Sequence, residues 1–120
     1  MMSLRGDLVK WFEDIERELD RAKEADQRGN HGKARTSARR AVGMAVEEMQ
    51  KKLPEAQYGR DFISCIRGIA SDTTLPREVR EAAERLQTRL TTKFESPSTD
   101  PVEDARIIIR FVVDRLTPGL

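Results

Sequence analysis

The stretch Trp11–Leu53, WFEDIERELDRAKEADQRGNHGKARTSARRAVGMAVEEMQKKL, decides the fold, because it reads as two amphipathic helices on either side of a five-residue turn. Upstream and into it, Leu4, Leu8, Trp11, Phe12, Ile15, Leu19 and Ala22 recur at spacings of three and four, which places them on one helical face. Ser3 is available as the N-cap, and Gly29 with Asn30 stops the helix. Glu13 with Arg17 and Asp20 with Lys23 suit its exposed side. A second helix is expected from about Gly32 to Leu53, ended by Pro54, since the residue before proline is steered out of the helical region. Its stripe is Ala34, Ala38, Ala41, Val42, Ala45, Met49 and Leu53. Small residues on a packing face let a neighbour approach closely, so the two helices should form a tight antiparallel hairpin through RGNHG.

Outward from this hairpin the chain continues in helical segments. In YGRDFISCIRGIA, Tyr58, Phe62, Cys65, Ile66 and Ile69 share a face, which makes Cys65 a core residue before it is anything else. After SDTTLP comes a stripe of Val79, Ala82, Ala83, Leu86 and Leu90. TTKFESPSTDPVED is loop, and the last helix begins with Asp100 as cap, Pro101 in the first turn and Glu103 placed to reach back to the cap. Val102, Ala105, Ile108, Ile109, Val112, Val113 and Leu116 form its core face, and Pro118 and Gly119 end it. The expected architecture is all-α, a compact antiparallel bundle of about five helices occupying residues 1–120 as one domain. A composition with 36% charged and 5% aromatic residues suits helices with wide polar faces.

A formal net charge of +1 argues against a general nucleic-acid binder, so any anion site must be local. A single cysteine makes no internal disulfide, and no segment has signal-peptide or membrane-span character; a cytoplasmic protein is expected. The local candidate is the start of the second helix, where Lys33, Arg35, Arg39 and Arg40 crowd the end at which the backbone dipole disfavours cations. On a helical wheel Arg35 and Arg39 flank one edge of the apolar stripe, while Lys33 and Arg40 project from the opposite, solvent side. Two readings remain open. Arg35 and Arg39 cover apolar surface and pair with acids of a neighbouring helix, or they join Lys33 and the free amides of the helix start in a phosphate-binding edge that Glu24 and Asp26 would weaken.

On the final helix, Ile107 and Phe111 sit together nearly opposite the core stripe, beside Asp104 and Asp114. Such a second apolar face is covered either by the loop FESPSTDP or by another chain, and the second alternative makes a homodimer. No metal or cofactor is called for: Glu-x-x-His pairs are absent, Glu47 and Glu48 lie off the apolar stripe, and no glycine-rich phosphate loop occurs.

The order and spacing of Trp11–Leu53, with the later DPVEDARIIIRFVVDRL, resemble the HEPN family of higher eukaryote and prokaryote nucleotide-binding domains. The features in common are the early Trp11, the Gly29 turn, the small residues Ala34, Ala38, Ala41 and Ala45, and a closing helix after a proline-containing loop. The resemblance implies a helical bundle, dimerisation, association with nucleotides or RNA and, in some members, a nucleotidyltransferase partner. Catalytic members cut RNA with an Arg followed after four to six residues by a His. Here the one histidine, His31, lies three residues after Arg28 in a turn, Cys65 stands five residues after Arg60, and no His follows Arg67. A non-catalytic binding or interaction domain is therefore expected, with a homodimeric structural adaptor and an unconventional ribonuclease using Arg60 or Arg67 as the alternatives.

Overall fold

Gly29 takes a left-handed backbone (φ +81°), which reverses the chain after α1 (Leu4–Gln27) and lets α2 (His31–Lys52) return along it. The Asn30 side chain accepts from the Lys33 amide at 3.1 Å and caps α2. Three further helices follow, α3 (Phe62–Ser71), α4 (Arg77–Gln87) and α5 (Pro101–Leu116). The computed structural model describes residues 4–87 and 98–119, and within them the fold is an all-α five-helix bundle. The expected cap Ser3, the side chain of Leu4, Leu90 and the loop residues 91–97 lie outside the described residues.

The two central helices are α2 and α5. α2 packs on α1, α3 and α5, and α5 on α2, α4 and, more lightly, α1. The core between them is Ile15, Leu19, Val42, Val46, Met49, Ile66, Ile69, Leu86, Ile108 and Val112, all essentially without solvent contact. Ala34, Ala38, Ala41 and Ala45 are each fully buried, as the close approach of α1 requires. Trp11 is half-buried and donates its indole N–H to the Met44 carbonyl at 3.1 Å, tying the first half of α1 to α2.

Local chemistry sets the remaining junctions. Asp61 caps α3, accepting from the Ser64 amide at 2.8 Å, and Asp100 caps α5, accepting from the Glu103 amide at 3.0 Å. Among the described residues the Glu103 side chain makes no return bond, so the expected reciprocal cap is one-sided. Between α2 and α3 the Gln50 amide stands in for a strand edge: its oxygen accepts from the amides of Tyr58 (2.5 Å) and Gly59 (3.0 Å), and its nitrogen donates to the Gly59 carbonyl (2.9 Å). Gly43 is buried beneath the Phe62 ring, so closely that a Cβ there would run into it.

Two expectations for α1 are corrected. Phe12 stays 41% exposed instead of joining the core, because α5 meets α1 only lightly. Among the described residues the local ion pairs along α1 and its end are Arg17–Asp14, Arg21–Glu18 and Arg28–Glu24, in place of Glu13–Arg17 and Asp20–Lys23; Arg21 turns to Glu18, the acid that faces α2.

Candidate binding surfaces

Lys33, Arg35, Arg39 and Arg40 do not meet. Arg39 Nε donates to the Leu86 carbonyl at 2.6 Å, supplying a donor to the C-terminal end of α4, and the half-buried Arg35 stands one turn away on the same side of α2. The expected pairing of Arg39 with a neighbouring helix is therefore met for this contact by a carbonyl. Arg40 is exposed, as expected, and reaches toward α1, where its Nη1 lies 3.3 Å from Glu18 Oε2.

Glu18 organises that side of the hairpin. It is 4% exposed and also receives Arg21 at 3.0 Å, so one buried carboxylate holds a guanidinium from each helix. Toward the turn, Arg21, Glu24, Ala25, Arg28, Asn30 and Lys33 line a groove of about 410 Å³. Arg28 pairs with Glu24 at 2.6 Å, whereas Lys33 is exposed and has no ion-pair partner among the described residues. His31 sits above this groove's end, its exposed ring 2.8 Å from Asp26. Reasoning from sequence missed Arg21 and Arg28. The signal was their seven-residue spacing on one face of α1, read against an antiparallel register that sets residue 25 beside residue 33.

Ile107 and Phe111 are half-buried and pack against the core cluster, with the Arg115 guanidinium 5.7 Å from the Phe111 ring centroid. Their position nearly opposite the core stripe is thus corrected. Asp104, on the same face, pairs with Arg85 of α4 at 2.8 Å and accepts from the Ser98 hydroxyl at 2.6 Å, so both α4 and the end of the expected covering loop reach this side of α5, residues 94–97 of that loop being outside the described residues. A single-helix wheel centres one stripe, but α5 has neighbours on three sides.

The large apolar residues left in water lie elsewhere. Phe62 (37% exposed) and Ile63 (42%) open α3, and Val9 (54%) and Phe12 (41%) are on α1, Phe12 where α1 flanks α5. There Phe12, Glu16, Arg106, Ile109, Arg110 and Val113 enclose a groove of about 200 Å³. Arg106 spans it in a two-pronged pair with Glu16, at 3.2 and 3.4 Å. The exposed Arg110 and Glu13 have no ion-pair partner among the described residues. The groove therefore has an apolar floor, with the acid Glu16 lining it from α1 and the bases Arg106 and Arg110 from α5, while Glu13 is exposed next to Phe12 in the chain.

Chemically reactive groups are held in structural roles. Cys65 is buried, its thiol 3.4 Å from the Gly59 carbonyl, and burial raises its pKa, with Asp61 and Glu47 adding to the effect. Tyr58 donates to Asp72 at 2.6 Å; burial first, then this bond, pushes its pKa up to about 12. Asp72 is held below the usual carboxylate range by the Thr74 hydroxyl and by Tyr58. Arg60 is exposed next to Gly59, which the Gln50 side chain holds near the C-terminal end of α2, and Arg67 is exposed on α3, whereas His31 is at the start of α2, about 33 Å of helix from its end. No grouping of His, Cys, Asp and Glu suited to a metal ion occurs among the described residues, and no helix there is long and apolar enough to cross a membrane.

No family model, curated protein or solved structure matches this chain.

Proposed function

We propose that the chain is a HEPN-like binding domain that works as a homodimeric adaptor, with the α1–α5 face as its interaction surface. The observation that carries this reading is the exposure of Phe12 beside the apolar floor of Ile109 and Val113, with Val9 exposed three residues earlier on the same helix. Apolar side chains gathered beside a groove and rimmed by charge are the usual signature of a surface that another protein covers. The small-residue packing of α2 and the anchoring of Trp11 to it support the HEPN-like fold. Sedimentation of the wild type across a wide concentration range tests the reading: a dimer is expected, and Phe12→Asp is expected to convert it to monomers without loss of helicity, because Phe12 is outside the core. Phe111→Asp, by contrast, is expected to weaken the fold itself. A wild type that stays monomeric at every concentration overturns the proposal.

A second reading, association with nucleotides or RNA, alone or beside a nucleotidyltransferase, rests on the other groove. Among its lining residues Arg21, Arg28 and Lys33 outnumber Glu24, and Lys33 has no ion-pair partner among the described residues. Such a site takes one phosphate group by charge and by the unpaired amides of the helix start. Binding of ATP or of a short single-stranded RNA at low salt, lost in Lys33→Ala/Arg28→Ala and weakened by added salt, is the expected result; wild-type protein that binds neither ends this reading.

A further inference from the structure

The geometry points to a second copy of this chain as the occupant of the α1–α5 groove, docked about a two-fold axis that runs along the groove. This inference rests on the adaptor reading above and adds the partner's orientation and the residues that fix it.

The levels of the two helices are set by contacts already described. Arg106 pairs with Glu16, and Phe12 shares the groove with Ile109, Arg110 and Val113, so α1 and α5 run antiparallel with Arg110 at the height of Phe12 and Glu13. Across the groove the charges that line it are opposite, Glu16 on α1 and Arg106 and Arg110 on α5, and the exposed Glu13 adjoins Phe12 on the α1 side. Glu16 and Arg106 satisfy each other within the chain, which leaves Glu13 and Arg110 as the uncommitted acid and base at one level.

Two ways of laying a copy face to face on this groove are distinguished by charge alone. An axis across the groove sets α1 on α1 and α5 on α5, acid against acid and base against base. An axis along the groove exchanges the edges, so that the acidic edge of each chain meets the basic edge of the other. Heights are preserved by this operation, and Glu13 of each chain then faces Arg110 of its partner, twice over. Phe12 and Val9 of each chain descend on the apolar floor of the other. An interface of this kind is isologous and closed, so it stops at two copies. Complementary edges set the orientation and suppress the alternative, while the apolar floor supplies the adhesion.

Charge reversal on the full-length chain tests the arrangement. Glu13→Arg alone and Arg110→Glu alone each place like charges together twice, and each is expected to weaken dimerisation about tenfold or more. The double variant Glu13→Arg/Arg110→Glu re-creates opposite pairs and is expected to return to near the wild-type dimerisation constant. Both sites are exposed, and circular dichroism of every variant verifies that helicity is kept. A wild-type monomer overturns the adaptor reading and this inference together. A wild-type dimer that Phe12→Asp dissociates but that neither single reversal weakens keeps the adaptor reading and overturns this orientation, since an axis across the groove sets like edges together and predicts that a single reversal relieves their repulsion. A double variant no tighter than the singles also overturns it.

Discussion

Adding one methyl group at Gly43 tests how α3 is seated on α2. Gly43 is fully enclosed within α2, and the Phe62 ring occupies the space a Cβ would need. Two opposing terms act on Gly43→Ala. Replacing glycine by alanine inside a helix gains about 1 kcal/mol. Overfilling a packed contact costs about 1–3 kcal/mol, toward the lower end here because Phe62 opens α3, is 37% exposed and has room to swing outward. The net expectation for Gly43→Ala is a loss of between about 0 and 2 kcal/mol. Once the ring is removed only the helical gain remains, so in a Phe62→Ala background Gly43→Ala should stabilise the protein by up to about 1 kcal/mol. The change of sign, a coupling of about 1–3 kcal/mol, is the diagnostic quantity. Urea unfolding of the four proteins, followed by circular dichroism at one fixed concentration, measures it. Equal stabilisation by Gly43→Ala in both backgrounds would refute the reasoning and show that the ring does not rest on Gly43.

Other perturbations address the remaining junctions. The chain has one tyrosine, so its ultraviolet titration reports Tyr58 alone: the folded pKa is raised from its ordinary 10.0 to about 12, and the stability this bond contributes is present below pH 10 and is lost as pH rises toward 12. Asp72→Asn is expected to move the folded midpoint back toward the unfolded one, and an unmoved midpoint would show that burial alone sets it. Cys65 is expected to react with a thiol reagent only as fast as the protein opens, so that labelling accelerates in step with urea-induced unfolding; rapid modification of the native protein would contradict its placement. Arg39→Ala should cost about 1 kcal/mol through the lost bond to the Leu86 carbonyl. The same variant should leave anion binding unchanged, because Arg39 stands on the far side of α2 from Lys33.

What could be read from the sequence follows from the range over which each interaction is decided. Helix boundaries rest on neighbours in the chain, and Gly29, Asn30, Pro54 and Asp100 with Pro101 acted where local chemistry required, while the Asp61 cap of α3 went unread. The α2 stripe was legible because alanine at four spaced positions leaves one way to bury that face. The side of α5 that stays exposed was not, because exposure depends on how many helices surround it. Ile107 and Phe111 look superfluous on an isolated wheel and are half-buried against the core cluster of the assembled bundle; Phe12 looks like core and is left in water because α5 meets α1 only lightly.

The same reasoning explains the dispersal of the four cations at the start of α2. Charge at a helix start is a local statement, whereas the partner that satisfies it is tertiary: a carbonyl of α4 for Arg39, and a buried carboxylate of α1 for Arg40. Glu18 is the residue that converts one into the other. Its position on α1, beside Leu19 and one turn beyond Ile15, marks it as facing the hairpin, and a carboxylate kept from water there demands cationic partners. Arg21 comes to it from its own helix and Arg40 from the next. The basic crowding of α2 is therefore in part a structural answer to an acid on α1. What that answer leaves over, Lys33 at the open end of the seam, is the residue on which a phosphate reading of this hairpin must stand or fall.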